Sequence, residues 1–118
     1  NSTDNLIFIA QIESIDAVHN LDEILQVKHL DGIMVGPYDL SASMRLTGQI
    51  DHPKFLETLA SIRTKAAKNK IPMGIHVVQP EKTILQKYID DGYQFIAYSI
   101  DAVFLYNAAQ CPPTNILK

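Results

Sequence analysis

The sequence lacks tryptophan, contains a single cysteine, Cys111, and has no excess of basic residues. Ten Lys and Arg stand against thirteen Asp and Glu, a net charge of -3, and no basic patch stands out, so we expect no nucleic-acid partner. One cysteine forms no intrachain disulfide, which fits a reducing, cytoplasmic compartment. No apolar run approaches the roughly 20 residues of a membrane span, and the start shows no signal-peptide pattern. We therefore expect no membrane partner.

What is present is an ordinary globular composition. The 118 residues are 47% hydrophobic and 19% charged, which is enough for one small domain with its own core. The chain opens at Asn1 and almost at once enters an apolar segment. We therefore expect residues 1–118 to form a single partial domain belonging to a longer chain.

Apolar runs alternate with segments of helical periodicity. The predicted strands are Ile7–Glu13, Gly32–Pro37, Pro72–Val78 and Gln94–Ile100. They are apolar on both faces, as parallel strands covered on each side are. Four βα units fit either a small doubly wound sheet or part of a (β/α)₈ barrel, and the strands alone do not decide. The barrel interpretation predicts unpaired edges on the first and last strands.

The helices carry their own start and stop signals. Asn20 and Glu23 predict a capping box. The second long helix begins at Pro53 and the last has Asp101 as its N-cap. In the helix that begins at Pro53, the predicted buried stripe is Phe55, Leu59, Ile62 and Ala66. In the third helix, from Pro80 to Gly92, it is Ile84, Leu85, Tyr88 and Ile89. Residues 40–52 are predicted to be a long, functional loop.

Two carboxylates lie at corresponding strand ends. Glu13 ends the first strand and Asp39 follows the second, so parallel βα units bring both to the carboxyl edge of the sheet. Strands about 4.8 Å apart allow the two to share a cation, and an all-oxygen site favours Mg²⁺ or Mn²⁺. Two other interpretations stay open: each acid caps a helix, or the two form a glycosidase pair. The absence of tryptophan counts against a sugar site.

Three further features surround this pair. Gln11 leaves the strand on the same face as Glu13 and either hydrogen-bonds a substrate oxygen or is a buried amide satisfied inside the sheet. The Gly36–Asp39 segment is either an ordinary turn or a nest of amides from Tyr38 and Asp39 that suits a carboxylate. His76 is a third metal ligand, an acid or base, or, as a lone strand histidine more commonly is, a hydrogen-bonded core residue.

Together these segments resemble the HpcH/HpaI aldolase family, the metal-dependent class II pyruvate aldolases. The matching pieces are Gln11-Ile-Glu13 and Asp31-Gly-Ile-Met-Val-Gly-Pro-Tyr-Asp-Leu-Ser41, followed by Gly48, His52-Pro53 and Ile100-Asp101. The two strand motifs together are specific, whereas either alone is weak. The resemblance implies a TIM (β/α)₈ barrel of which this chain is the second half, strands five to eight.

The resemblance also implies a chemistry. Glu13 and Asp39 are then the metal ligands, for Mg²⁺ or Mn²⁺ with Co²⁺ as a further option, while Gln11, Tyr38 and Asp39 bind pyruvate. The implied reaction is reversible aldol cleavage of a 4-hydroxy-2-oxo acid to pyruvate and an aldehyde. The family's catalytic His and Arg are expected in the barrel half that this sequence lacks. We therefore expect the chain alone to bind metal weakly and to be inactive.

The family further implies a homo-oligomer whose last helix, Asp101–Ala109, is exchanged between subunits. Arg45 departs from the pattern, because a small residue, often glycine, is expected in that loop. Two alternatives remain. One is a lyase like citrate lyase β or malyl-CoA lyase, which uses the same metal pair on CoA thioesters. The other is a noncatalytic half-barrel that assembles with itself.

Overall fold

The computed structural model describes residues 6–110, and its centre is a four-stranded parallel sheet in the order β1-β2-β3-β4. The strands are β1 (Ile9–Ile12), β2 (Gly32–Val35), β3 (Met73–Val77) and β4 (Phe95–Tyr98). All four predicted strands are confirmed, although each is shorter than predicted. Residues at the predicted ends leave the sheet as the chain turns toward the neighbouring helices.

Six helices accompany these strands in the described residues. They are α1 (Ile15–His19), α2 (Leu21–Ile24), α3 (Pro37–Ser43), α4 (Pro53–Lys68), α5 (Lys82–Asp90) and α6 (Asp101–Ala109). The prediction of one loop over residues 40–52 is wrong in its first part, which belongs to α3. Pro37 explains this, because its fixed φ suits the first turn of a helix. None of these helices is long and apolar enough to cross a membrane.

The strand order favours a barrel segment over a doubly wound sheet. Each strand pairs with the next one along the chain, so every connection steps in the same direction. Right-handed crossovers in one direction place their helices on a single face of the sheet, whereas a doubly wound sheet reverses its strand order. Within the described residues β1 and β4 each have one neighbour, which confirms the predicted unpaired edges.

The hydrophobic core lies between the sheet and its helices. Alternate strand residues, including Ile33, Val35 and Ile75, are fully buried against it. The predicted α4 stripe is confirmed, with Phe55, Leu59, Ile62 and Ala66 all buried. On the other face the ring of Phe95 covers Gly74, which has no room for a Cβ. Cover of this second face is partial among residues 6–110, where Met34 and His76 are half-buried and Gln11 is exposed.

Helix starts show where local rules were overridden. The capping-box prediction is wrong, because the Asn20 side chain makes no cap bond to α2 and donates from Nδ2 to the Asp16 carbonyl at 3.0 Å. That donation completes the last turn of α1 instead. Asp101 is the first residue of α6 and not its N-cap, which is the extended residue Ile100. The Asp101 carboxylate accepts from the Ala102 amide at 2.7 Å.

The two C-terminal helices are poorly buried. In α5 only Tyr88 of the predicted stripe is buried, Ile84 and Leu85 are half-buried, and Ile89 is 50% exposed. Helix α6 has no buried residue. From the sequence we expect Cys111-Pro-Pro to end this helix, and those residues lie outside the described range.

Candidate functional site

Glu13 and Gln11 lie together above Gly36. The pairing of Gln11 with Met34 and of Ile12 with Val35 brings Glu13, directly after β1, beside Gly36. A Cβ on Gly36 would stand 3.4 Å from Gln11 Nε2 and 3.5 Å from Glu13 Oε2. The polar groups of Gln11 and Glu13 therefore both lie next to Gly36, a position without a side chain.

Asp39 enters the same region from the first turn of α3. Gly36 is the N-cap, and the first helical bond runs from the Leu40 amide to the Gly36 carbonyl at 2.9 Å. The amides of Tyr38 and Asp39 precede that bond, so they belong to the set that a helix start leaves without an intrahelical acceptor. The predicted turn is therefore a helix start, and it supplies the two amide donors expected of a nest.

Ser41 ties this first turn to the following loop. Its side chain is fully buried, and its hydroxyl donates to the Tyr38 carbonyl at 2.7 Å and accepts from the Gly48 amide at 3.0 Å. The Leu46 amide also donates to the Ser41 carbonyl at 2.8 Å. This positioning role was not predicted. Its local signal was a serine flanked by the apolar residues Leu40 and Ala42.

Ser43 ties the same helix to the segment that carries Glu13. Its hydroxyl accepts from the Ile15 amide at 2.9 Å, across 28 residues of sequence. Ser14, directly after Glu13, caps α1 by accepting from the Ala17 amide at 3.1 Å. The link through Ser43 had no local sequence signal, because both partners are set by the pairing of β1 with β2.

Most of the predicted residues line one cavity of about 700 Å³ at the carboxyl ends of β2 and β3. Its lining includes Gln11, Gly36, Tyr38, Asp39, His76 and Glu81. Glu13 borders Gly36 without being part of the lining. Three of the four predicted site residues are thus brought together in one cavity, and the fourth lies at its margin.

His76 lines this cavity, and its ring is also held by a hydrogen bond to β4's C-terminal neighbour, Ser99. Its Nε2 lies 3.2 Å from the Ser99 carbonyl, the bond that a core histidine makes. Ser99 has φ of 62°, its amide donates to the Val77 carbonyl at 2.6 Å, and its buried hydroxyl has no partner among residues 6–110. The described residues contain no cluster of three or more His, Cys, Asp or Glu suited to a metal. Within the described residues, His76 is therefore not part of such a cluster with Glu13 and Asp39.

Tyr88 forms the outer wall of the cavity and packs edge-on against Tyr93, with ring centroids 5.2 Å apart. Burial raises the pKa of Tyr88, and the nearby Asp51 and Asp91 add to the effect. Burial, and then the neighbouring Tyr88, raise the pKa of Tyr93 to about 12. Both phenols are therefore neutral throughout the physiological range and act here as apolar packing groups.

Arg45 adopts a backbone conformation that explains the expectation of a small residue there. Its φ is 60°, in the left-handed region where glycine carries no penalty. The loop that follows contains a second left-handed residue, Gly48, with φ of 73°. Arg45 itself is exposed and does not line the cavity. Its departure from the pattern therefore adds conformational strain to the loop backbone and leaves the cavity lining unchanged.

Comparison with known proteins agrees with this geometry. The model of the HpcH/HpaI aldolase/citrate lyase family matches residues 1–108. The chain is 34% identical over 108 residues to a hydroxypyruvate/pyruvate aldolase of Sagittula stellata and 33% identical over 109 residues to a 5-keto-4-deoxy-D-glucarate aldolase of Escherichia coli O157:H7. Each match spans 92% of this chain and 42% of the relative.

A solved structure gives the same result. The HpcH/HpaI aldolase of Desulfitobacterium hafniense DCB-2 superposes with a TM-score of 0.83 at 28% identity, covering 91% of this chain and 41% of that one. The chain thus spans about two fifths of the length of the relatives that it matches. The sequence matches the family model over residues 1–108, and the fold matches the solved structure over 91% of the chain. The chain belongs to the HpcH/HpaI aldolase/citrate lyase family.

Proposed function

We propose that this chain supplies the metal- and pyruvate-binding part of a class II aldolase. The reaction is reversible cleavage of a 4-hydroxy-2-oxo acid to pyruvate and an aldehyde. The observation that carries the proposal is the approach of Glu13 and Gln11 to Gly36, beside the first-turn amides of Tyr38 and Asp39. The names of the two relatives above, both aldolases, support a carbon–carbon lyase.

The residues fit a divalent metal ion. Glu13 and Asp39 offer carboxylate oxygens from adjacent strand ends, a donor set that suits Mg²⁺ or Mn²⁺ and also accommodates Co²⁺. The space that a Cβ on Gly36 would fill lies directly beside Glu13 Oε2. When bound, such an ion supplies Lewis-acid stabilisation of the charge that develops on the 2-oxo group.

The chain's own groups orient the pyruvate part of the substrate. The amides of Tyr38 and Asp39 donate to its carboxylate, where the positive end of the helix start favours an anion. The Gln11 amide group hydrogen-bonds an oxygen beside it. Ser41 keeps the Tyr38 carbonyl, and hence the turn of the chain, in place. These contacts bind and orient, and none of them moves a proton.

The groups that move protons belong to the remainder of the barrel in this proposal. The chain forms a single partial domain, residues 1–118, corresponding to strands five to eight, and a catalytic His and Arg come from the other four βα units. The chain alone then binds metal weakly and has no aldolase activity. The exposed Phe104, Leu105 and Tyr106 of α6 support packing of this helix on a neighbouring subunit of a homo-oligomer.

Metal binding by the full-length protein tests this assignment. Glu13→Gln and Asp39→Asn each remove one ligand charge while keeping the side-chain shape. We expect each to weaken Mn²⁺ binding, measured by calorimetry, by at least about tenfold. Glu57→Gln, an exposed acid on α4, is the matched control. Unchanged Mn²⁺ affinity in both site variants would refute the metal assignment.

The family description also includes citrate lyase, so a CoA thioester lyase is the second candidate. The two candidates differ in the substrate that releases product. Turnover of a 4-hydroxy-2-oxo acid, detected by enzymatic reduction of the released pyruvate, supports the aldolase. Turnover of malyl-CoA or citryl-CoA alone supports the thioester lyase.

A further inference from the structure

We propose that His76 determines specificity for the aldehyde part of the substrate. Its Nδ1 accepts a hydrogen bond from a hydroxyl group on the carbon chain that leaves as the aldehyde. The inference rests on the proposed aldolase function and adds a substrate class to it, the hydroxyaldehydes. It also gives a role to a residue that binds neither the metal nor pyruvate.

The sheet register places His76 at the right distance from the pyruvate end. Val35 pairs with both Ile12 and Ile75, so the next residues, Glu13, Gly36 and His76, form one row across three strands. Two strand spacings separate Glu13 from His76, roughly 10 Å between their Cα atoms. Gly36, in the middle of the row, has no side chain. A substrate held beside Glu13 that extends over Gly36 reaches His76.

The hydrogen bond behind the ring fixes which nitrogen is available. A carbonyl oxygen only accepts, so the 3.2 Å contact with Ser99 requires the proton on His76 Nε2. The neutral ring then has Nδ1 as an acceptor. The Ser99 carbonyl is itself held, because the Ser99 amide donates to Val77. His76 thus presents a fixed acceptor, whose complement is a donor such as a hydroxyl.

The rest of the lining and the Nδ1 acceptor disfavour other terminal groups on the aldehyde. The cavity lining is mostly apolar, with Val77, Val78 and Ile84 in its wall. Its acids are Asp39 and Glu81, and among the described residues no Lys or Arg lines it. A terminal carboxylate would meet the like charge of Asp39 and Glu81 and could not donate to Nδ1. A methyl group would leave the acceptor unpaired.

Two acceptor aldehydes of matched size test this in the full-length protein with Mn²⁺ and pyruvate. Glycolaldehyde ends in a hydroxyl and propanal ends in a methyl, and succinic semialdehyde adds a carboxylate. We expect the wild type to prefer glycolaldehyde over propanal in kcat/KM by about tenfold, with succinic semialdehyde the poorest. His76→Leu should remove the preference while the KM for pyruvate and the Mn²⁺ affinity stay unchanged. His76→Asn, with an amide near the Nδ1 position, should restore part of it.

Equal losses for glycolaldehyde and propanal in His76→Leu, or a wild-type preference for propanal or the semialdehyde, would overturn the proposal. A second readout does not depend on turnover. In ¹⁵N NMR of the histidine side chains with pyruvate present, glycolaldehyde should shift His76 Nδ1 and propanal should not. If the wild type turns over no aldehyde, the aldolase function fails, and the NMR comparison alone decides the role of His76.

Discussion

Gly36 and Glu13 lie so close that a Cβ on Gly36 would stand 3.5 Å from Glu13 Oε2. The same added atom would be 3.4 Å from Gln11 Nε2. These are ordinary contact distances, so the position is not closed to alanine by collision. What the missing side chain provides is free space between the carboxylate and the adjoining strand.

Gly36→Ala should therefore fold but bind ligand poorly. The backbone at Gly36, with φ of -96° and ψ of 95°, is open to any residue. We expect a stability change below about 1 kcal/mol and at least a tenfold loss of Mn²⁺ and pyruvate affinity, measured by calorimetry.

Gly92→Ala is the matched control for this substitution. Gly92 has φ of 85° and no atom within 4 Å of an added Cβ. Alanine there should cost about 1 kcal/mol of stability through backbone strain and leave ligand affinity unchanged. Full ligand affinity in Gly36→Ala would contradict the placement of the ligand over Gly36.

Ser41→Ala should loosen the loop that contains Gly48. The substitution leaves the Gly48 amide and the Tyr38 carbonyl without the partner that the Ser41 hydroxyl provides. A typical hydrogen bond contributes about 1 kcal/mol, so the loss of these two part-buried bonds should cost roughly 1–2 kcal/mol in denaturant unfolding. Amide exchange at Gly48 should also become faster. Ser61→Ala, at an exposed position on α4, should change neither quantity.

Arg45→Gly should raise stability slightly. A residue with a Cβ pays about 1–2 kcal/mol in the left-handed region, and the greater freedom of glycine in the unfolded chain cancels about half of that gain. We expect a net gain of up to about 1 kcal/mol in thermal unfolding. Arg45→Ala removes the same exposed side chain but keeps the Cβ, so it should show no gain. Equal stabilities for the two variants would argue against strain at this position.

Alkaline pH should destabilise the protein through Tyr93. The pKa of this phenol is about 12 in the folded state and about 10 when unfolded, so its stabilising effect is complete below pH 10. It is lost as the pH rises from 10 to 12, because the unfolded phenol ionises first. The loss should approach about 2–3 kcal/mol.

Thermal unfolding between pH 9 and 12 measures this effect. Tyr88, whose pKa is also raised, contributes in the same direction. Tyr93→Phe should flatten the dependence, since phenylalanine has no proton to lose. A slope that is identical in wild type and variant would show that Tyr93 does not ionise differently on folding.

Most of the architecture could be predicted because it follows from the local spacing of apolar residues. The four strands and the α4 stripe follow from apolar spacing, which reflects burial directly. The errors lie where local signals compete. Residues 40–43 look like loop by composition but continue the helix that Pro37 begins, and Asn20 completes the turn before it instead of capping the one after it.

The sequence by itself determined the family and the parallel βα order. It also proposed Gln11, Glu13, Tyr38 and Asp39 as site residues, because each strand motif combines a buried run with polar residues at its carboxyl end. Only the tertiary structure decided how these groups meet. The row of Glu13, Gly36 and His76, the link through Ser41 and the contact of His76 with Ser99 all depend on strand register and loop packing. Such contacts join residues far apart in sequence, so no local pattern encodes them.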